Sequence, residues 1–307
     1  MTTRGTPVKV ETPERTALLR PMITRRYELA VQHAKCCGCE LCVTVCPQEA
    51  ITISAAQLVD GRVQTKPRID IEPAKCSFCG ECVALCPTHA LGMTVNGEVE
   101  VPVLKGEAFP YLRKKVSVNQ DVLSATTEIG YITNCPRGAI SADVRRDAAG
   151  EVTGVSNVAI DRGLCVNCTH CMEEGPRGGF TISKPYRGRV SLDVSLCPEG
   201  CQACADVCPS RAITYDGTRV SIDERFCLYC GACEQVCPAE GAVRTPRTGF
   251  LHTPIESGAW RDALEKLVSL QEVVHEYDVK SQQKRRDAVL KRLLPEMAGS
   301  DGTGPSL

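Results

Sequence analysis

Apolar positions along the chain come in short bursts rather than long runs. Six of them, 48–53 (QEAITI), 88–93 (THALGM), 137–142 (RGAISA), 177–182 (RGGFTI), 210–215 (SRAITY) and 239–244 (AEGAVR), each follow a proline. That proline opposes any continuing helical turn, so each burst predicts a short strand. Around Asn96-Gly97 the alternation in GMTVNGEVEVPVL predicts a β-hairpin, read as a spacer rather than a docking loop. From 255 to 297 the pattern changes to a helical period, with Trp260, Leu264, Leu267, Val274 and Tyr277 in step. A helix appended to small strand-rich units has little core of its own to pack on, so docking on another subunit is expected ahead of the alternative, a basic solvated helix packed against its own modules. The last residues, 298–307, are expected to be flexible. No apolar run reaches about 18 residues, and a membrane-spanning helix is therefore not expected.

Composition sharpens this picture. The 307 residues include 21 Cys but only 5 Phe, 7 Tyr and 1 Trp, too few large apolar rings for one ordinary core of that length. The formal charge of −1 and the 43% hydrophobic content exclude a disordered chain and give no basic excess for nucleic acid. Charge is nonetheless uneven. Residues 1–26 carry six Lys or Arg against two Glu, and 280–292 carry six against one Asp, so the remainder is acidic. Arg25-Arg26 is followed by Glu28, Gln32 and His33 instead of an apolar segment, and is read as coincidence rather than an export signal. A cytoplasmic, reducing location follows, in which 21 Cys serve as metal ligands and not as a disulfide framework.

The cysteines repeat one word. Cys36, Cys39, Cys42 and Cys46-Pro47 read CxxCxxCxxxCP, as do Cys76, Cys79, Cys82 and Cys86-Pro87, and Cys227, Cys230, Cys233 and Cys237-Pro238. Cys197, Cys201, Cys204 and Cys208-Pro209 differ by one added residue. This is the spacing of bacterial-type [4Fe–4S] ferredoxins, in which three thiolates on one loop share a cluster with the fourth cysteine of the other loop. Zinc knuckles present two separated CxxC pairs without the third step, which makes a zinc-stapled scaffold the weaker alternative.

A damaged third pair of words lies between these. Cys135-Pro136 ends one half, and Cys165, Cys168 and Cys171 begin the other. Counting by the standard spacing, Ala125, Glu128, Tyr131 and Gly175 stand where four further cysteines belong. Under cross-ligation those four positions serve one cluster and the four remaining cysteines serve the other, so one complete set is missing and its partner is whole. A gap of 29 residues separates both Cys46 from Cys76 and Cys135 from Cys165, whereas Cys208 and Cys227 are 18 apart.

Five sets follow: I, Cys36, Cys39, Cys42 and Cys86; II, Cys76, Cys79, Cys82 and Cys46; III, Cys165, Cys168, Cys171 and Cys135; IV, Cys197, Cys201, Cys204 and Cys237; V, Cys227, Cys230, Cys233 and Cys208. Each would hold one [4Fe–4S] cluster. Cys37 is left over and is read as a buried thiol, since no nucleophile constellation surrounds it. The five His are scattered. His170 lies inside a cysteine loop whose set is already complete, and a surface or hydrogen-bonding role is expected for it rather than ligation.

From residue 35 to about 245 the chain resembles the polyferredoxins, electron-transfer subunits built from tandem ferredoxin modules. The hairpin with KGEAFPYL and the word LCPEGCQACADVCP further resemble the polyferredoxin subunit of formylmethanofuran dehydrogenases. The resemblance implies an α+β fold of three tandem ferredoxin-like modules with a helical C-terminal extension. The expected division is an N-terminal extension (1–23), a two-cluster module (24–104), a degenerate one-cluster module (105–190), a two-cluster module (191–250), a helical extension (251–297) and a tail (298–307). It also implies a non-catalytic wire in a hetero-oligomeric complex, working with a molybdenum- or tungsten-pterin catalytic subunit. A hydrogenase-associated polyferredoxin or a free low-potential carrier is the alternative. No GxGxxG, P-loop or nucleophile motif argues for an enzyme in its own right.

Overall fold

The computed structural model describes residues 5–293. The expected tail at 298–307, and 294–297 at the end of the helical segment, lie outside the described residues.

Each of the six apolar bursts is a strand, and one pattern of two antiparallel ladders occurs three times. Ile51–Ile53 pairs with Ile69–Ile71, and Leu91–Val95 with Arg26–Gln32. Ile140–Arg146 pairs with Val152–Ile160, and Phe180–Ile182 with Val116–Val118. Ile213–Tyr215 pairs with Val220–Ile222, and Val243–Arg244 with Ser191–Leu192. Between the ladders two short helices pack together in each case: Leu41–Val45 with Glu81–Ala84, Gly130–Thr133 with His170–Glu174, and Ala203–Val207 with Ala232–Val236. The strands contribute isoleucines and valines to the interior, such as the opposed Ile51 and Ile71, and the helices contribute Leu41, Val45, Val207 and Val236.

The N-terminal residues share the first of these cores. Val8–Glu11 and Arg15–Pro21 extend the sheet of Arg26–Gln32, and the register from Arg15↔Gln32 to Pro21↔Arg26 is unbroken. Leu18, fully buried, packs with Leu29 and Val31, so the expected boundary at 23 falls in the turn of a hairpin. The hairpin predicted at Asn96-Gly97 joins Leu91–Val95 to Glu98–Val99, with both turn residues at positive φ (56° and 87°).

The predicted C-terminal helix is two helices, Gly258–Leu267 and Leu270–Leu293. Val268 is extended, and the break is held from outside: Arg247 Nε donates to the Leu267 carbonyl (3.0 Å), and the Ser269 N–H donates to the Arg247 carbonyl (2.9 Å). Trp260, Ala263 and Leu267 of the first helix are buried against Leu41, Val45, Leu85, Val103, Phe109 and Tyr186. The expectation of too little core is corrected here, because the 102–112 connection and the paired strands Tyr186–Gly188 and Arg247–Phe250 supply one. The second helix leaves Leu270, Val274 and Tyr277 exposed, Tyr277 at 77%.

Candidate metal centres

The cysteine loops share a backbone that turns N–H groups toward sulfur. The residue before the second cysteine is left-handed in all five loops: Gly38, Phe78, Asn167, Gly200 and Tyr229, with φ between 52° and 74°. The Tyr229 N–H donates to Cys227 Sγ (3.3 Å), and the N–H groups of Gly38, Phe78 and Asn167 are turned toward Cys36, Cys76 and Cys165 in the equivalent place. At the second cysteine the N–H groups of Glu81, His170 and Ala232 face Cys79, Cys168 and Cys230. A further left-handed residue follows the Cys-Pro step, at Glu49 and Gly138, and aims the N–H of Ala50 at Cys46 Sγ and that of Ala139 at Cys135 Sγ, each 3.3 Å. A non-glycine residue held in this region costs about 1 to 2 kcal/mol. Successive N–H groups turned one way form a nest that favours negative charge, the environment an anionic iron–sulfide group requires.

The structure brings the thiols together in groups. Cys36, Cys39, Cys42 and Cys86 line one cavity, Cys135, Cys165, Cys168 and Cys171 a second, and Cys208, Cys227, Cys230 and Cys233 a third. Cys76, Cys79 and Cys82 each face Cys46, and Cys197 and Cys204 both face Cys201 and Cys237. Burial pushes several of these thiols up, Cys36 and Cys168 to about 11 and Cys171, Cys204 and Cys227 to about 12. These five hold their protons until a metal displaces them. Among the described residues no three His, Cys, Asp or Glu are arranged to hold a metal ion. The thiols instead ring cavities, which suits a polynuclear group. A cavity walled by four thiols, with N–H donors on the same sulfurs, fits a [4Fe–4S] cluster.

Apolar packing occupies the place of the missing set. Tyr131, 1% exposed, packs on Phe180 with ring centroids 5.1 Å apart, among Leu123, Val155 and Val158. A Cβ at Gly175 would lie 2.8 Å from the Cys171 carbonyl oxygen and 3.0 Å from the Phe180 ring, leaving no room for a larger side chain.

The sets are not strung in a simple line. Cys82 faces Cys42 and Cys86, and Cys233 faces Cys204, so II adjoins I and IV adjoins V through the paired helices. Sets I, III and V also meet. Lys114 lies beside Cys86 and Cys165, and the His89 ring faces the Cys165 backbone. Burial lowers both groups, His89 to about 4, which leaves it neutral. Lys184 Nζ donates to the Cys227 carbonyl (3.0 Å) beside Cys168. His170 makes the expected hydrogen bond, to the Ser210 carbonyl (2.7 Å), and stacks on Phe226. Tyr186 is buried near Cys39, Cys86 and Cys230 and donates to the Leu85 carbonyl (2.6 Å). Sequence reasoning missed Lys114, Lys184, His89 and Tyr186, because none belongs to a repeated word.

Known proteins resemble parts of this chain and its overall fold. A model of the 4Fe-4S dicluster domain matches residues 35–90 and 196–241. An uncharacterised ferredoxin of Methanocaldococcus jannaschii is 41% identical over 57 residues, 18% of this chain and 90% of that protein. The chain belongs to the ferredoxin family. A ferredoxin-like protein in the nif region of Azotobacter vinelandii is also 41% identical, over 49 residues, 14% of this chain and 53% of that protein. Over a much longer span this ferredoxin matches a chain of the formate dehydrogenase, heterodisulfide reductase and formylmethanofuran dehydrogenase complex of Methanospirillum hungatei. The TM-score is 0.73 at 28% identity, covering 88% of this chain and 93% of that one. It is thus a polyferredoxin, an electron-transfer iron–sulfur protein similar to a subunit of an oxidoreductase complex. No helix among the described residues is long and apolar enough to cross a membrane.

Proposed function

We propose that the chain is the polyferredoxin subunit of a formylmethanofuran dehydrogenase complex, a cytoplasmic and non-catalytic conductor of electrons to or from a molybdenum- or tungsten-pterin subunit. The observation that carries this reading is the mutual coverage with the chain from the Methanospirillum hungatei complex, 88% and 93%, which extends well beyond the cysteine words. Its body is three tandem ferredoxin-like modules, a division supported by the threefold recurrence of paired ladders and paired helices. The middle module has an aromatic core in place of one cluster.

The twenty cysteines of sets I to V hold five [4Fe–4S] clusters, which supply one-electron carriers when bound. The polypeptide sets their spacing, excludes water with small apolar cores, and stabilises the charge on sulfur through the N–H nests of each loop. Every set has four thiols, so no iron is left open for substrate, in keeping with a wire.

Anaerobic isolation from the native source, with identification of whatever stays bound, tests the assignment. Pterin-enzyme subunits and about twenty iron per chain, at four iron per cluster, are expected. Recovery with hydrogenase subunits moves the chain to a different complex, and recovery alone makes it a mobile carrier. Abundant zinc with little iron overturns the reading altogether.

A further inference from the structure

His170 stands between two thiols of set III in sequence and reaches set V in space. It lines the set III cavity with Cys135, Cys165, Cys168 and Cys171. Its ring lies on that of Phe226, the planes 13° apart and the centroids 3.6 Å apart. Phe226 is buried and packs in turn with Cys227 and Cys208 of set V. Two stacked rings thus run from the wall of one cavity to two thiols of the next.

We propose that the stacked rings of His170 and Phe226 are the route by which an electron passes between sets III and V, with His170 the residue that keeps the route closed. It rests on the reading that both sets hold clusters. Electron exchange falls steeply with the width of any gap between donor and acceptor, and rings in van der Waals contact leave no gap here. The neighbouring contact between the same two loops, Val166 with Leu228, is made of saturated side chains, which lack the π levels that both rings offer. One set gives up one electron and the other gains it. No bond forms or breaks, no proton moves, and the rings end as they began.

The stack is held in place by groups of known geometry. His170 Nε2 donates to the Ser210 carbonyl (2.7 Å), since a carbonyl only accepts. Ser210 is buried two residues beyond Cys208, so this bond ties the ring to the loop of set V. Beside it Thr169 Oγ1 donates to the Arg225 carbonyl (3.1 Å), Arg225 Nη1 to Glu173 Oε2 (2.8 Å), and Lys184 Nζ to the Cys227 carbonyl (3.0 Å). None of these three bonds uses the His170 ring, so the two loops stay docked when the ring is removed.

The test uses the full-length, iron-loaded protein with His170→Ala and His170→Phe. It is read by iron content, by the dipolar splitting between reduced clusters in electron paramagnetic resonance, and by intercluster electron transfer after pulse radiolysis. The signals of sets III and V are assigned by their change in Cys135→Ala and Cys208→Ala. In His170→Ala, iron content and dipolar splitting are expected to stay at their wild-type values while the fast phase of transfer between sets III and V is lost. Transfer between sets I and II, measured in the same sample, is unchanged. His170→Phe, which keeps the ring without the hydrogen bond, retains most of the fast phase. An unchanged rate in His170→Ala overturns the proposal and leaves the Val166 and Leu228 contact as the route. A rate that falls together with the dipolar splitting or the iron content also overturns it, because His170 then only holds the loops, and so does a fast phase that phenylalanine fails to keep. Wild-type protein with too little iron to fill sets III and V is a distinct result, which sinks the five-cluster reading and this route with it.

Discussion

Tyr131 shows at the residue scale how a binding position turns into packing. Its ring fills space among Leu123, Val155, Val158 and Phe180, yet its hydroxyl is buried with no hydrogen-bond partner among the described residues. A buried, unsatisfied hydroxyl costs about 1 to 3 kcal/mol, whereas the ring contributes the contacts. Tyr131→Phe is therefore expected to stabilise the iron-loaded protein by about 1 kcal/mol, seen as a higher urea midpoint under anaerobic conditions. An unchanged or lower midpoint would mean that the hydroxyl finds a partner. At this scale the repeated spacing marks the thiols out in the sequence, because coordination of a cube by one loop would fix that spacing. It carried the absence at Tyr131 and Gly175, but not what fills the gap. Most of the left-handed residues were illegible: Phe78, Tyr229 and Glu49 have no intrinsic preference for that region, and only the sulfur they serve explains them, whereas Asn167 is of a type that enters it readily.

The elements that hold the cysteines are too short to stand alone. Helices of four or five residues lie well below the length at which an isolated helix persists, and most of the paired strands have two or three residues. Their existence was legible because apolar bursts followed each Cys-Pro or Gly-Pro step, but their partners were not, since pairings such as Val116–Val118 with Phe180–Ile182 join segments far apart in sequence. The C-terminal region shows the same limit. Its helical period was plain, whereas the break at Val268 depends on Arg247, twenty residues upstream. Trp260 anchors the first of these helices by edge contacts with Phe109 (5.2 Å) and Phe250 (5.8 Å). Trp260→Ala should cost about 3 to 5 kcal/mol locally, typical of truncating a buried tryptophan. The expected readout is rapid proteolytic cleavage within 255–293 while the cysteine-bearing body keeps its iron. Loss of iron in step with cleavage would show that the helix supports sets I and II directly, through the contacts Cys39 and Cys79 make with the same core.

Among the described residues the interior is divided into six small apolar clusters; four of them include a set I–V cysteine, and the other two each have two such cysteines packed against them. Contacts between distant repeats are local and exacting. The hairpin at Gly61 docks on the helix Ala203–Val207, with the Gln202 N–H donating to the Gly61 carbonyl (2.8 Å) and the Val63 N–H to Asp206 (2.9 Å). A Cβ at Gly61 would lie 2.7 Å from the Cys201 Cα, so this docking requires the Cys201 loop to hold its shape. If iron shapes the loops, removing it withdraws the filling of the cavities and the docking surface together. A structural zinc contributes about 10 to 16 kcal/mol in zinc-finger peptides, comparable with the whole stability of a folded domain, and a cluster is expected to matter on the same scale here. The iron-free chain is therefore expected to lose its cooperative unfolding transition, with amide exchange rising across 35–245. Protection should survive longest in the sheet of Arg15–Pro21 and Arg26–Gln32, whose seven-residue register owes least to the cysteine loops. A sharp calorimetric transition in fully iron-free protein would show instead that the apolar clusters suffice, and that the loops are preformed before any metal enters.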